Sequence, residues 1–156
     1  MSSRRTLYAV LAKSGLAFAA GTVALVIYWP RSQGSGIDPN NAAQVALGQQ
    51  TYAQWCAGCH GANLEGQPDW QQRKANGRLP APPHDASGHT WHHPDQQLLE
   101  ITKKGVSAVV PGYQSDMPGF QGMLSDEQII AALAFIQSRW PPEIRSRQQV
   151  LTRAGS

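Results

Sequence analysis

Two cysteines and a histidine fall within five consecutive residues, Cys56-Ala-Gly-Cys59-His60, and the chain of 156 residues has no other cysteine. A thioredoxin-type redox pair with this spacing belongs to a βαβ unit, which the flanking sequence does not provide. A zinc site needs four ligands, commonly from a second closely spaced Cys or His pair. A disulfide between residues three apart would stabilise little. The remaining histidines lack zinc-finger spacing: His84, His89, His92 and His93.

The same motif is the attachment site of a c-type haem. Its two thiols are separated by about one helical turn, so both can face the edge of a flat macrocycle and bond its two vinyl groups. The histidine that follows can reach under the ring to bind the iron. We therefore predict one covalent haem c, bonded to Cys56 and Cys59, with His60 as an axial ligand of the iron.

The N-terminus contains an apolar run from residue 7 to residue 29, interrupted by Lys13. About 20 apolar residues span a bilayer, and a lysine can extend its amine back to the membrane surface. Arg4 and Arg5 precede the run, which favours a cytoplasmic N-terminus. A cleaved signal peptide is the alternative, but cleavage at the small residues 17–20 would cut inside the run. We predict a single-pass inner-membrane anchor over residues 1–31, with the following domain in the periplasm.

The rest of the chain divides by composition. Residues 32–40 are rich in Ser and Gly and predict a flexible linker, residues 41–142 a folded domain, and residues 143–156 a C-terminal tail that is either a docking strand or disordered. Between Asp38 and Trp140 there are six Lys/Arg against nine Asp/Glu. The folded domain therefore lacks the basic surface that nucleic-acid binding requires.

Helix signals occur in three places. Asn40 or Asn41 can cap a first helix that leads into the cysteine motif, and a second helix fits residues 94–104. Ser125 and Gln128 form a capping box for the last helix, whose apolar stripe is Ile129, Leu133, Ile136 and Trp140. The long segments 61–88 and 106–122 predict loops, and no segment predicts a paired strand. The domain has too few apolar residues to order such long loops unless a large non-protein group fills its centre. We therefore expect an all-α domain wrapped around the haem.

The chain resembles the class I c-type cytochromes, single-haem domains here joined to an N-terminal anchor. The resemblance covers residues 44–141 and is carried by Gly48-x-x-x-Tyr52, the Cys56–His60 motif, Met117-Pro-Gly-Phe120 and the last helix. It implies an all-α cytochrome c-like fold in which the first and last helices cross. It further implies that Gly48 permits their close approach and that Phe135 packs near Tyr52.

The same resemblance implies the remaining haem contacts. Met117, on the loop before the last helix, would be the second axial ligand, with Met123 as its rival. Pro82 would orient His60 through its carbonyl, with Pro80 and Pro83 as neighbouring alternatives. Many members have a leucine two residues after that proline, where this chain has His84.

The stretch from Gly88 to Pro94 contains Trp91 and three histidines. One interpretation is a metal site or a haem with two histidine ligands. A second places Trp91 and a neighbouring polar group beside a haem propionate. A third is a polar loop whose histidines face water.

These features predict an electron carrier and not an enzyme, with no small-molecule substrate. Its donor and acceptor would be membrane-bound respiratory or photosynthetic complexes. Two alternatives stay open: the chain is a fixed subunit of an oxidase or dehydrogenase complex, or its haem is five-coordinate and acts as a peroxidase or gas sensor. The last requires that Met117 does not bind the iron.

Overall fold

The computed structural model describes residues 35–155, so the predicted anchor over residues 1–31 lies outside the described residues. Within that range the domain is all-α, as predicted, and contains no β-strand beyond an isolated bridge between Gln121 and Leu124. The described helices include none that is both long and apolar enough to cross a membrane. The elements are α1 Ala42–Trp55, α2 Ala57–His60, a 3-10 turn Thr90–His92, α3 Asp95–Lys104, α4 Val106–Val109, α5 Asp126–Ser138 and α6 Pro142–Ala154.

Helices α1 and α5 cross at Gly48. A Cβ atom on Gly48 would lie 1.9 Å from the carbonyl oxygen of Ala131 and 2.9 Å from Cβ of Phe135. Only glycine therefore allows the two backbones to approach this closely. One turn further along α1, the Tyr52 ring packs on Phe135 with centroids 5.4 Å apart. The crossing that the resemblance implies, between the first helix and the helix that carries Phe135, is confirmed.

The helix boundaries follow local sequence signals. Asn41 caps α1, its side chain accepting a hydrogen bond of 3.1 Å from the Gln44 backbone N–H. At α5 the capping box is complete: Ser125 Oγ accepts from the Gln128 N–H at 3.2 Å, and Gln128 Oε1 accepts from the Ser125 N–H at 3.0 Å. Gly105, with φ of 81°, ends α3. The apolar stripe predicted for the helix that begins at the capping box, which is α5 in the structure, is buried in the core.

The C-terminal segment differs from its prediction. Residues 142–154 form helix α6, so the expectation of a strand or of disorder over 143–156 is wrong. Its anchor is Gln148, only 1% exposed. The Gln148 amide donates to Asp95 Oδ1 at 2.6 Å and to the His93 carbonyl at 3.2 Å. Gln137 of α5 donates to the same Asp95 oxygen at 2.7 Å. Polar burial, which an apolar pattern does not reveal, holds this helix.

The segment before α1 also differs from the flexible linker that composition predicts over residues 32–40. Ser35 Oγ donates to Asp95 Oδ2 at 2.6 Å. Gln44 donates from its side chain to the Gly36 carbonyl at 2.9 Å and accepts from the Asp38 N–H at 2.7 Å. Ile37 packs against the core. Residues 35–40 are therefore attached to the domain, through partners up to 60 positions away in sequence.

Candidate cofactor site

A cavity of about 780 Å³ opens in the domain between the cysteine motif, the loop 79–84, helix α3 and the loop before α5. This volume lies in the range typical of cofactor sites. Most of the wall is apolar, supplied by residues that include Leu98, Ile101, Phe120, Leu133 and Ile136. Cys56, Cys59, His60 and Met117 all line it. The structure thus brings the four predicted haem-binding side chains to one space.

The cysteine motif is positioned by the end of α1. Cys56 is the C-cap of α1 and its carbonyl accepts from the His60 N–H at 2.9 Å, which winds residues 57–60 into the single turn α2. Both thiols are free, Cys56 half-buried and Cys59 exposed. Burial, with a smaller contribution from Cys59, raises the pKa of the Cys56 thiol to about 11. The Cys56 side chain is therefore a neutral thiol at physiological pH.

His60 is buried, with 7% of its surface exposed. Its Nδ1 lies 2.8 Å from the Pro82 carbonyl oxygen, which can only accept, so Nδ1 carries the proton. The Nε2 lone pair is then free for a metal ion. Burial lowers the pKa of His60, opposed by the hydrogen bond to Pro82. The ring is consequently neutral near pH 7, the form that binds metals.

The loop that carries Pro82 is itself fixed. Gln67 donates its backbone N–H to the Ala81 carbonyl at 2.9 Å, and its side chain accepts from the Ala81 N–H at 3.0 Å. Gly66 packs against Pro83, the residue after Pro82, so closely that a Cβ atom on Gly66 would lie 2.4 Å from the Pro83 nitrogen. Of the three prolines considered, Pro82 is the one whose carbonyl meets His60.

His84 occupies a place that sequence reasoning missed. Its ring stacks on His60 with centroids 4.0 Å apart and an interplanar angle of 24°. Its Nδ1 lies 2.8 Å from Thr90 Oγ1, and its carbonyl accepts from Trp140 Nε1 at 2.7 Å. Burial, more than the neighbouring His60 and His89, lowers the pKa of His84 well below its ordinary value. Because the ring lies against His60, it is not placed to bind an iron from the opposite side. The departure from leucine at this position was the available signal.

The two candidate methionines differ in burial. Both line the cavity, but Met117 is half-buried against the core whereas Met123 is 50% exposed. The backbone after Met117 is fixed to the end of α3. Phe120 donates its N–H to the Thr102 carbonyl at 3.0 Å, and a Cβ on Gly119 would lie 2.7 Å from the Lys103 carbonyl oxygen. This placement favours Met117 over Met123 as a ligand.

The stretch 88–94 lies beside the cavity. His89, Thr90 and His93 line it, whereas Trp91 is not among the lining residues. The indole Nε1 of Trp91 is buried without a hydrogen-bond partner. No group of three or more His, Cys, Asp or Glu in residues 35–155 is placed to hold a metal ion. A propionate contact for Trp91 stays a prediction.

The donor set fits a c-type haem. Two thiols, one neutral imidazole and one thioether reach the same apolar cavity, and histidine with methionine is the axial pair of the cytochromes c. The sequence model of the family described as cytochrome c oxidase, cbb3-type, subunit III matches residues 43–136, a range that includes all four of these residues. No curated protein and no solved structure matches the chain.

Proposed function

The chain belongs to the family of cytochrome c oxidase subunit III of the cbb3 type and is a c-type cytochrome, and we propose that it transfers single electrons through one covalent haem. The observation that carries this proposal is the meeting of Cys56, Cys59, His60 and Met117 at one cavity. When bound there, the haem would supply an iron that alternates between the ferric and ferrous states. The chain holds one attachment motif, which supports a single haem.

The protein side chains would set the orientation and electronics of this site. Pro82 holds the proton of His60 at Nδ1 and so directs Nε2 to the cavity. Met117 would provide a thioether, a soft ligand that raises the reduction potential. If His60 and Met117 both bind the iron, the protein would leave no open position for a substrate. This favours electron transfer over the peroxidase and gas-sensor alternatives.

We propose that the partners are proteins of a membrane-bound oxidase complex, by extension from the family to which the chain belongs. Three of the exposed large apolar side chains, Trp55, Val110 and Met123, also line the cavity, with 39–50% of their surface exposed. A small apolar rim of this kind suits a weak, transient electron-transfer contact. Residues 1–31 would anchor the domain to the inner membrane on its periplasmic face, a proposal that rests on the sequence alone.

Methionine substitution tests the proposed ligand set. Met117→Ala should vacate one axial position, so that the ferrous protein binds carbon monoxide rapidly and the ferric protein loses its weak far-red methionine–iron band. Met123→Ala is the matched control, because it removes the same side chain from the exposed rim, and should leave both properties unchanged. The reverse pattern would assign the ligand to Met123. Rapid carbon monoxide binding by the unmutated protein would favour the five-coordinate alternative.

A further inference from the structure

A compact turn at residues 73–78 lies beside the cavity. The Lys74 N–H donates to the Arg78 carbonyl at 2.9 Å, and the Gly77 N–H donates to the Lys74 carbonyl at 2.8 Å. The Arg73 guanidinium donates to the Gly77 carbonyl at 2.6 Å. The turn is therefore closed by its own backbone and one of its side chains, and it presents three cationic residues.

All three cations contact the segment just before Met117. Arg78 and Lys74 both pair with the carboxylate of Asp116, Lys74 at 3.6 Å. The Arg73 guanidinium lies 5.9 Å from the centroid of the Tyr113 ring. Lys74 and Asp116 also line the cavity, so these contacts lie at its edge.

The backbone segments before and after Met117 are held by different contacts. After it, Phe120 and Gln121 donate backbone hydrogen bonds of 3.0 Å to the end of α3. Before it, the Ser115 hydroxyl accepts from the Met117 N–H at 3.0 Å, a bond internal to the loop. Apart from a bond of 3.1 Å from the Tyr113 N–H to the Val110 carbonyl at the end of α4, the polar contacts that join residues 111–116 to other segments of the described domain come from the turn 73–78.

We propose that the turn 73–78 is a clamp that positions Met117 for the iron by holding Asp116. The inference rests on the proposed ligand role of Met117. Exposed ion pairs contribute little to global stability, but local opening of a loop depends only on the contacts that the opening breaks. Loss of the clamp should therefore raise the frequency with which Met117 leaves the iron, with little effect on folding.

The test uses the haem-loaded full chain and the rate at which cyanide binds the ferric protein, which depends on methionine release. Because Asp116→Asn removes an exposed ion pair, whose contribution is small, it should raise the rate about two- to fivefold. Arg78→Gln should produce part of this increase because Lys74 remains. The double variant should match Asp116→Asn alone, since both changes remove the same contact. Asp116→Glu should restore most of the slow binding.

Glu100→Gln is the matched control. It breaks an ion pair of similar exposure between two side chains of α3, Glu100 with Lys104 at 3.1 Å, which includes no residue of the turn 73–78 and none of residues 111–117. It should leave the cyanide rate unchanged. Amide hydrogen exchange should also accelerate over residues 113–117 in Asp116→Asn only.

Two outcomes separate the clamp from the ligand assignment. If Met117→Ala accelerates cyanide binding but Asp116→Asn behaves like Glu100→Gln, the clamp is refuted and the ligand stands. If Met117→Ala itself has no effect, the proposed ligand role fails and the clamp fails with it.

Discussion

His60 is constrained by two neighbours that act on different parts of its ring. The Pro82 carbonyl accepts the Nδ1 proton at 2.8 Å, and the His84 ring covers one face at a centroid distance of 4.0 Å. The hydrogen bond fixes which nitrogen is protonated, and the stacking opposes rotation of the ring. The direction of Nε2 is thus determined before any metal binds, and if His60 binds the haem iron this would reduce the reorganisation that accompanies a change of iron charge.

The assignment of Cys56 and Cys59 as the attachment residues predicts which substitutions abolish covalent haem binding. Replacing both Cys56 and Cys59 with alanine should abolish the haem-stained band on a denaturing gel, because thioether bonds alone survive denaturation. Met117→Ala is the control and should retain the band, since a methionine ligand makes no covalent bond to the porphyrin. A band that persisted in the double alanine variant would contradict the attachment assignment.

Residue-scale contacts could be predicted where a motif specifies them. The pair of thiols, the adjacent histidine and the carbonyl of Pro82 follow from spacing and from family resemblance. The stacking of His84 on His60 depends on how the loop 79–84 folds back over α2, through bonds such as that between Gln67 and Ala81. No local sequence pattern predicts that the loop folds back in this way.

At the scale of elements, polar side chains attach helix α6 to the rest of the described domain. Asp95, at the start of α3, is buried and accepts from Gln148 of α6, Gln137 of α5 and Ser35 before α1. The Asp95 N–H in turn donates to Thr152 Oγ1 at 3.1 Å. One carboxylate therefore joins three helices and the N-terminal segment of the described domain.

Gln148→Ala should destabilise the haem-loaded protein by about 1–3 kcal/mol, because it removes donors from a buried carboxylate and from the His93 carbonyl. Urea unfolding followed by helix content measures the change. Gln149→Ala is the matched control on the exposed face of the same helix and should stay within about 0.5 kcal/mol of the parent. Equal stabilities for the two variants would show that the network does not hold α6.

The elements that sequence predicted well carry their own signals. The caps Asn41 and Ser125, the stop at Gly105 and the apolar stripe of α5 are all local. Helix α6 has a polar sequence whose one fully buried anchor is a glutamine, and its partner Asp95 lies 53 positions away. Propensity and periodicity contain no information on such a pair, so they do not predict this helix.

At the scale of the whole molecule, the attachment of Ser35 to the domain would shorten the tether between the predicted anchor and the domain. The described residues, 35–155, lie within one compact unit. If residues 1–31 are the anchor, three residues, 32–34, separate it from Ser35. The four Cα–Cα steps from residue 31 to Ser35 reach at most roughly 14 Å, no more than the radius of gyration of about 14 Å expected for such a domain. The haem would then stay beside the membrane and meet membrane-bound partners at high local concentration.

Releasing the domain by cleavage before Ser32 should therefore lower electron flux with native membranes at matched haem concentration. Flux should return only at a much higher concentration of the soluble form. Insertion of about ten Gly/Ser residues after Gly34 is the intermediate control, because it lengthens the tether without removing it. Equal flux from the released and anchored forms would show that the anchor retains the protein without guiding electron transfer.

The cavity joins parts of the chain that are distant in sequence. His60 and Met117 are 57 positions apart, and their simultaneous binding to one iron would close a loop of that length. By analogy with a disulfide, such closure removes roughly 4 kcal/mol of conformational entropy from the unfolded chain. A thioether binds ferrous iron more firmly than ferric iron. By thermodynamic linkage, the interaction that would make the haem easier to reduce would also make the reduced chain harder to unfold, so the electron would act as a stabilising ligand of the fold.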